Sequence, residues 1–293
     1  MKQDTQKESR PQSEGDVNLS PRRDEWQAAN INAETRALLD EDARYFLHQS
    51  LSTPCLNALQ ACEGIYIEDL QGRRYMDFHG NNVHQVGFSN PAVIDAIKAQ
   101  LDELSFSPRR YTNRVAVDLA KKLAELAPDD LNKVLFCPGG TEAIGIALKL
   151  ARLATGRHKT ISMWDSFHGA SLDAISVGGE SLFRQGIGPL LPGTEHVPPP
   201  DEYRCMWGRD KCEGCDQICA DYIEYVLEKE GDVAAVIAEP VRSTPYVPQP
   251  AYWKKVREAC DRHGALLIFD EIPHALGRTG EMFTCENFGV VPD

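Results

Sequence analysis

The chain has 293 residues, with 31 Lys and Arg against 44 Asp and Glu, and so a net charge of −13. A content of 42% hydrophobic and 26% charged residues excludes collagen, a coiled coil and wholesale disorder, and the length is enough for a large core. The acidic balance argues against nucleic acid as the main partner. Apolar runs such as residues 233–238 are far too short to cross a bilayer, so no membrane partner is expected.

The N-terminus carries no apolar export core, which points to a cytoplasmic protein. The nine cysteines then read as reduced thiols. Four of them, Cys205, Cys212, Cys215 and Cys219, fall close together. They could in principle hold zinc, but the spacing departs from the two-knuckle pattern, and thiols are the expected state.

Taken in chain order, residues 1–25 are polar, with Pro11 and Pro21 as breakers, and read as a mobile tail. A helical pattern covers residues 34–48. Residues 64–69 and 73–78 read as two short strands around a turn containing Gly72. Helices follow over 91–104, with Pro91 in the first turn, and over 114–127, closed by Pro128.

From there strands and helices alternate. Strands are expected at 133–136, 159–164, 233–238 and 265–269, and helices at 141–154 and 252–263. Apolar strands between amphipathic helices predict an α/β fold, a mostly parallel sheet covered on both faces. Residues 190–220, rich in Pro and Cys, read as an insertion or long loop.

In such sheets ligands bind beyond the carboxyl ends of the strands. Four places there stand out. Cys137-Pro138-Gly139-Gly140-Thr141 is a Gly-rich turn opening a helix. Its first-turn N–H groups, dipole and threonine hydroxyl suit an anion such as a phosphate; the same residues also read as a plain turn with Thr141 as cap. Phe167-His168-Gly169 places a ring and an imidazole after a strand. Glu239 and Asp270 each end an apolar strand, and a buried Asp270 needs a cationic partner or several donors. Together they describe an anionic group, a flat ring and a cationic ring nitrogen. Pyridoxal 5′-phosphate has all three.

The order of Gly140-Thr141-Glu142-Ala143 with Ala147-Leu148-Lys149-Leu150-Ala151-Arg152, then Phe167-His168-Gly169, Glu239-Pro240, Asp270-Glu271-Ile272 and Gly277-Arg278-Thr279-Gly280, resembles the class III aminotransferases over residues 64–293. These are fold type I pyridoxal-phosphate enzymes. The resemblance implies a three-layer sandwich with a mostly parallel central sheet, with residues 26–90 part of a smaller α+β domain and 91–293 an incomplete cofactor domain. It further implies that Gly140 and Thr141 hold the phosphate and that Phe167 stacks on the ring with His168 beside it. Asp270 would pair with the ring nitrogen, Ile272 would pack on the other ring face, and Glu239 would sit at the substrate side.

The expected activity is amino transfer from a small amine or amino acid to a keto acid or aldehyde, by a homodimer. Two departures qualify it. Gly139 stands where the family often has Ser, and Pro273 where it commonly has a Gln that touches the ring hydroxyl. The segment around Asp270-Glu271-Ile272-Pro273 is most similar to a branch with ammonia-lyases and phospho-lyases of small amino-phosphonates or amino-phosphates, so lyase chemistry is the alternative. The family's Schiff-base lysine follows the closing Pro-Asp by a few residues. No residue here takes its place, so the 293 residues alone are expected to be an inactive N-terminal fragment.

Overall fold

The computed structural model describes residues 20–47, 53–80, 85–208, 215–242 and 246–293. Residues 1–19, the greater part of the expected tail, lie outside the described residues, as does Cys212. The chain divides into two compact units, Met1–Tyr111 and Thr112–Asp293. The helix at 91–104 groups with the first unit.

In the first unit, α1 (Pro21–Asn30) begins where the sequence suggested a breaker. Pro21 occupies the first turn, where its missing N–H costs nothing, and the Ser20 hydroxyl accepts from Arg23 N at 3.2 Å. Next come α2 (Ala33–Tyr45), the strands β1 (Leu59–Glu63), β2 (Tyr66–Asp69) and β3 (Arg74–Met76), and α3 (Pro91–Leu104). The strands form an antiparallel meander in the order β1-β2-β3. The sequence reading missed β1, because its five residues are all exposed and carry no alternation. Asp69 is the unit's buried hub. It accepts from Asn57 Nδ2, the Gln71 and Arg73 peptides, Arg73 Nε and the Tyr75 hydroxyl at 2.8–3.1 Å.

The second unit holds α4 (Arg114–Leu126), α5 (Gly140–Thr155), β4 (Lys159–Met163), α6 (Leu172–Val177), α7 (Ser181–Arg184), β5 (Thr194–Val197), α8 (Ile218–Glu230), β6 (Val233–Ala238), α9 (Pro250–His263) and β7 (Leu266–Phe269). A 3₁₀ turn over Thr284–Phe288 follows. All four strands are parallel, in the order β5-β4-β6-β7.

Two expectations are corrected here. Residues 194–197, assigned to an insertion, form the edge strand β5 beside β4, because Thr194 and Val197 are β-branched and the paired residues Thr160–Met163 lie within reach. Residues 133–136 are not a strand. Among the described residues nothing pairs with them, and Val134, Leu135 and Phe136 stay exposed.

The alternation of side chains on β6 and β7 explains why both faces are covered. Val236 and Ala238 on β6 join Leu267 and, at the margin, Phe269 in a core with Ile223 and Leu227 of α8 and Trp253 and Val256 of α9. Their neighbours Ile237 and Ile268 turn the other way, onto Ile144 and Leu148 of α5 and Ala174 and Val177 of α6. β6 is buried at every residue, as its unbroken apolar run requires.

Candidate cofactor site

The parallel register sets the site. Ala238 is the partner of Phe269, so Glu239 and Asp270 leave the sheet side by side, and Asp270 N still donates to Ala238 O at 2.8 Å. The turn after β4 brings Phe167, His168 and Gly169 to the same edge.

Asp270 and His168 form the buried centre. His168 Nδ1 lies 2.8 Å from Asp270 Oδ2, with both side chains almost wholly shielded from solvent. Asp270 Oδ1 also accepts from Ile272 N at 3.1 Å. The carboxylate keeps unused lone pairs beyond these two bonds, so a further donor can be accommodated. His168 turns its imidazole onto Asp270, and its Nε2 is buried with no hydrogen-bond partner among the described residues. His274 is a second buried imidazole with an unpartnered Nε2. Burial holds its pKa below the ordinary value, and the charge of Asp270 pulls it partly back.

Glu239 occupies a structural position. Its Oε1 accepts from Phe167 N at 2.9 Å, fixing the peptide that carries the ring. Burial pushes the Glu239 carboxyl up, with the Phe167 peptide, His168 and Arg242 acting the other way. The Phe167 ring packs on Phe183 at 4.4 Å between centroids. Yet Phe167 remains 37% exposed and Ile272 56% exposed, two apolar side chains left uncovered at the site.

Glycines shape the anion cradle. α5 starts at Gly140 behind Gly139, and no side chain caps it, so its first-turn N–H groups are left for another acceptor. A Cβ on Gly140 would fall 2.8 Å from Ile272 Cδ1, which places the cradle against Ile272. Gly169, with φ +129°, approaches so closely that a Cβ there would lie 3.0 Å from Thr141 Cα and overlap the Thr141 hydroxyl. The arrangement fits pyridoxal phosphate: a bare helix start with a hydroxyl, two uncovered apolar side chains and a buried carboxylate held by an imidazole. Pro273 supplies no amide to such a ring.

Sequence reasoning did not find Ser166, Glu180, Arg242 or Tyr246, which brace the Phe167 turn. Glu180 and Arg242 meet across 62 residues, and no local spacing announces that pair. Of the clustered cysteines, Cys219 is buried on α8. Among the described residues no group of three His, Cys, Asp or Glu is placed to hold a metal.

Comparison with known proteins follows the same lines. The class-III aminotransferase family matches residues 48–293. An (R)-1-hydroxy-2-aminoethylphosphonate ammonia-lyase of Vibrio splendidus is 52% identical over 96% of this chain and 62% of its own length. An acetylornithine aminotransferase of Methanopyrus kandleri is 38% identical over 79% of the chain and 55% of its own length. The crystal structure of taurine:2-oxoglutarate aminotransferase from Bifidobacterium kashiwanohense, in complex with PLP and glutamate, superposes with a TM-score of 0.81 at 30% identity, covering 88% of this chain and 60% of that one. The chain thus spans about three-fifths of the length of these relatives. It belongs to the class-III aminotransferase family.

Proposed function

We propose that this chain forms the pyridoxal-phosphate side of an active site that releases ammonia from a small two-carbon amine bearing a phosphonate. The His168–Asp270 pair beside the Gly139–Thr141 cradle carries the cofactor reading. When bound, the cofactor supplies an electron sink for the carbanion left when a proton departs from the carbon next to the substrate nitrogen. The first turn of α5 and the Thr141 hydroxyl hold its phosphate. Phe167 and Ile272 flank its ring. Asp270 keeps a proton on the ring nitrogen, and His168 holds Asp270 in the orientation that does so. Glu239, by fixing the Phe167 peptide, sets the stacking face.

The 52% identity to an ammonia-lyase supports elimination over transfer, and Pro273 accords with that branch. Amino-group transfer to a keto acid or aldehyde is the second reading, supported at the level of the family. Both act on small amines, in a cytoplasmic homodimer. The 293 residues by themselves are proposed to hold the cofactor without a covalent bond and without turnover, since none of their lysines lies where the resemblance sets the attachment.

An assay of the full-length protein with (R)-1-hydroxy-2-aminoethylphosphonate decides between the two activities. Ammonia release without a keto acid supports the lyase; amine consumption that depends on an added keto acid replaces it with transfer. Absorbance titration of the chain with pyridoxal phosphate tests the cofactor reading, and no saturable binding rejects both. Borohydride treatment of the 293-residue species should leave no cofactor–lysine adduct.

A further inference from the structure

The turn that presents Phe167 contains a residue in a conformation that side chains avoid. Asp165, two positions earlier, has φ +63°. Such a residue persists where its surroundings over-determine it. Here they do so through a closed ring of contacts.

Ser166 O accepts from Gly179 N at 2.9 Å and Glu180 N at 3.0 Å. The Glu180 carboxylate receives Arg242 Nη2 at 2.9 Å, in an ion pair whose arginine side chain is only 12% exposed. Arg242 N donates to Tyr246 O at 2.9 Å. The Tyr246 hydroxyl returns to Asp165 Oδ2 at 3.2 Å, one residue from the start. A Cβ on Gly179 would overlap the Met163 carbonyl, so the 178–180 strap lies directly against the end of β4. The Ser166 hydroxyl, accepting from Gly179 N at 3.1 Å and donating to Met163 O at 2.8 Å, pins the strap from inside. The ring thereby ties the ends of β4 and β6 to the strap, and Phe167 is the next residue out, with its N–H on Glu239.

We infer that Arg242 and Tyr246 are positioning residues that, through Glu180 and Asp165, set the angle at which Phe167 meets the cofactor ring. Both act by denying the turn its alternatives. The inference rests on the cofactor reading above for its purpose, though not for the clasp itself. Because an Arg guanidinium bridges by geometry as well as charge, Lys at 242 can keep the ion pair with one bond.

The test uses the full chain with two readouts. Hydrogen exchange at the amides of Phe167, Gly179 and Glu180 should quicken about tenfold in Tyr246→Phe and in Arg242→Gln, with β6 amides unchanged. In the same variants the dissociation constant of pyridoxal phosphate should rise about threefold to tenfold and the visible circular dichroism of the bound cofactor should weaken. Arg242→Lys should recover most of both. Unchanged exchange and unchanged cofactor binding in both variants overturn the inference. If the unsubstituted chain binds no pyridoxal phosphate, the cofactor reading fails on its own, and the exchange rates alone decide whether the clasp holds the turn.

Discussion

His168 Nδ1 and Asp270 Oδ2 meet at 2.8 Å across 102 residues of chain, inside a region closed to water. Removing the imidazole leaves a buried carboxylate with one peptide donor, an uncompensated polar group that costs on the order of 2 kcal/mol. His168→Ala should therefore lower thermal stability as well as cofactor affinity. Asp270→Asn keeps the shape and removes the charge. It should lower turnover of the full-length protein by about 10²-fold or more, with smaller loss of stability. Steady-state kinetics and a melting curve on each variant check the pair.

Gly169→Ala addresses the cradle. The added methyl would meet Thr141 Cα at 3.0 Å and force a side chain into φ +129°. A cost of about 2 kcal/mol or more is expected, together with weaker pyridoxal-phosphate retention. Thr141→Ala should weaken retention while leaving stability nearly unchanged, which separates the lost hydroxyl from the clash. Equilibrium dialysis and urea unfolding measure the two effects.

Glu239 carries a pH signature. Burial raises its pKa, so the folded protein keeps a proton that the unfolded chain releases near about pH 4.3. Stability from that proton is complete below the unfolded value and declines as pH rises through the folded one. Glu239→Gln retains an acceptor for Phe167 N and does not titrate. The variant should gain on the unsubstituted protein as pH rises above the unfolded carboxyl's value, as read from unfolding free energies across the pH range.

Asp69 has the opposite sign. Burial works to raise its pKa, but the Arg73 peptide and guanidinium, Asn57 and Tyr75 outweigh it and hold the carboxyl well below the usual range. Its contribution is present above the unfolded value of about 3.9 and disappears as pH falls through the folded one. Asp69→Asn should cost about 3 kcal/mol near neutral pH by removing the carboxylate of the Arg73 ion pair, with Asn30 and Gln71 left as neutral acceptors, and should flatten the acid limb of the stability curve. A change confined to the first unit, seen by hydrogen exchange, would agree with the hub's place in the fold.

What was legible in the sequence follows from range of interaction. Helix α3 and strand β6 were found at their observed bounds, and α4 to within one residue, because a proline, an asparagine cap or an unbroken apolar run marks each one locally. Gly140, Thr141, Phe167, His168, Glu239, Asp270 and Ile272 were legible as residues that follow strands or open a helix. Their partnerships were not: that His168 serves Asp270 and Glu239 serves the Phe167 peptide depends on the register of β4, β6 and β7. Strand β5 was missed because its four residues read as strand only beside β4. Residues 133–136 show the reverse case, an apolar run whose propensity found no neighbour to pair with among the described residues.

The pairing of Ala238 with Phe269 has a consequence for how this site tolerates change in length. Side chains alternate along a strand, so dropping one residue from β7 would send Asp270 toward the opposite layer of helices and exchange Leu267 for Ile268 in the core. Hydrophobicity would scarcely change, and the fold could refill, but the carboxylate would no longer face His168. Residues added in the connection beyond Tyr246 carry no such penalty, since that stretch only has to return the chain to the same edge. The site is addressed by counting from strand ends, which makes it intolerant of single-residue insertions and deletions in two short strands.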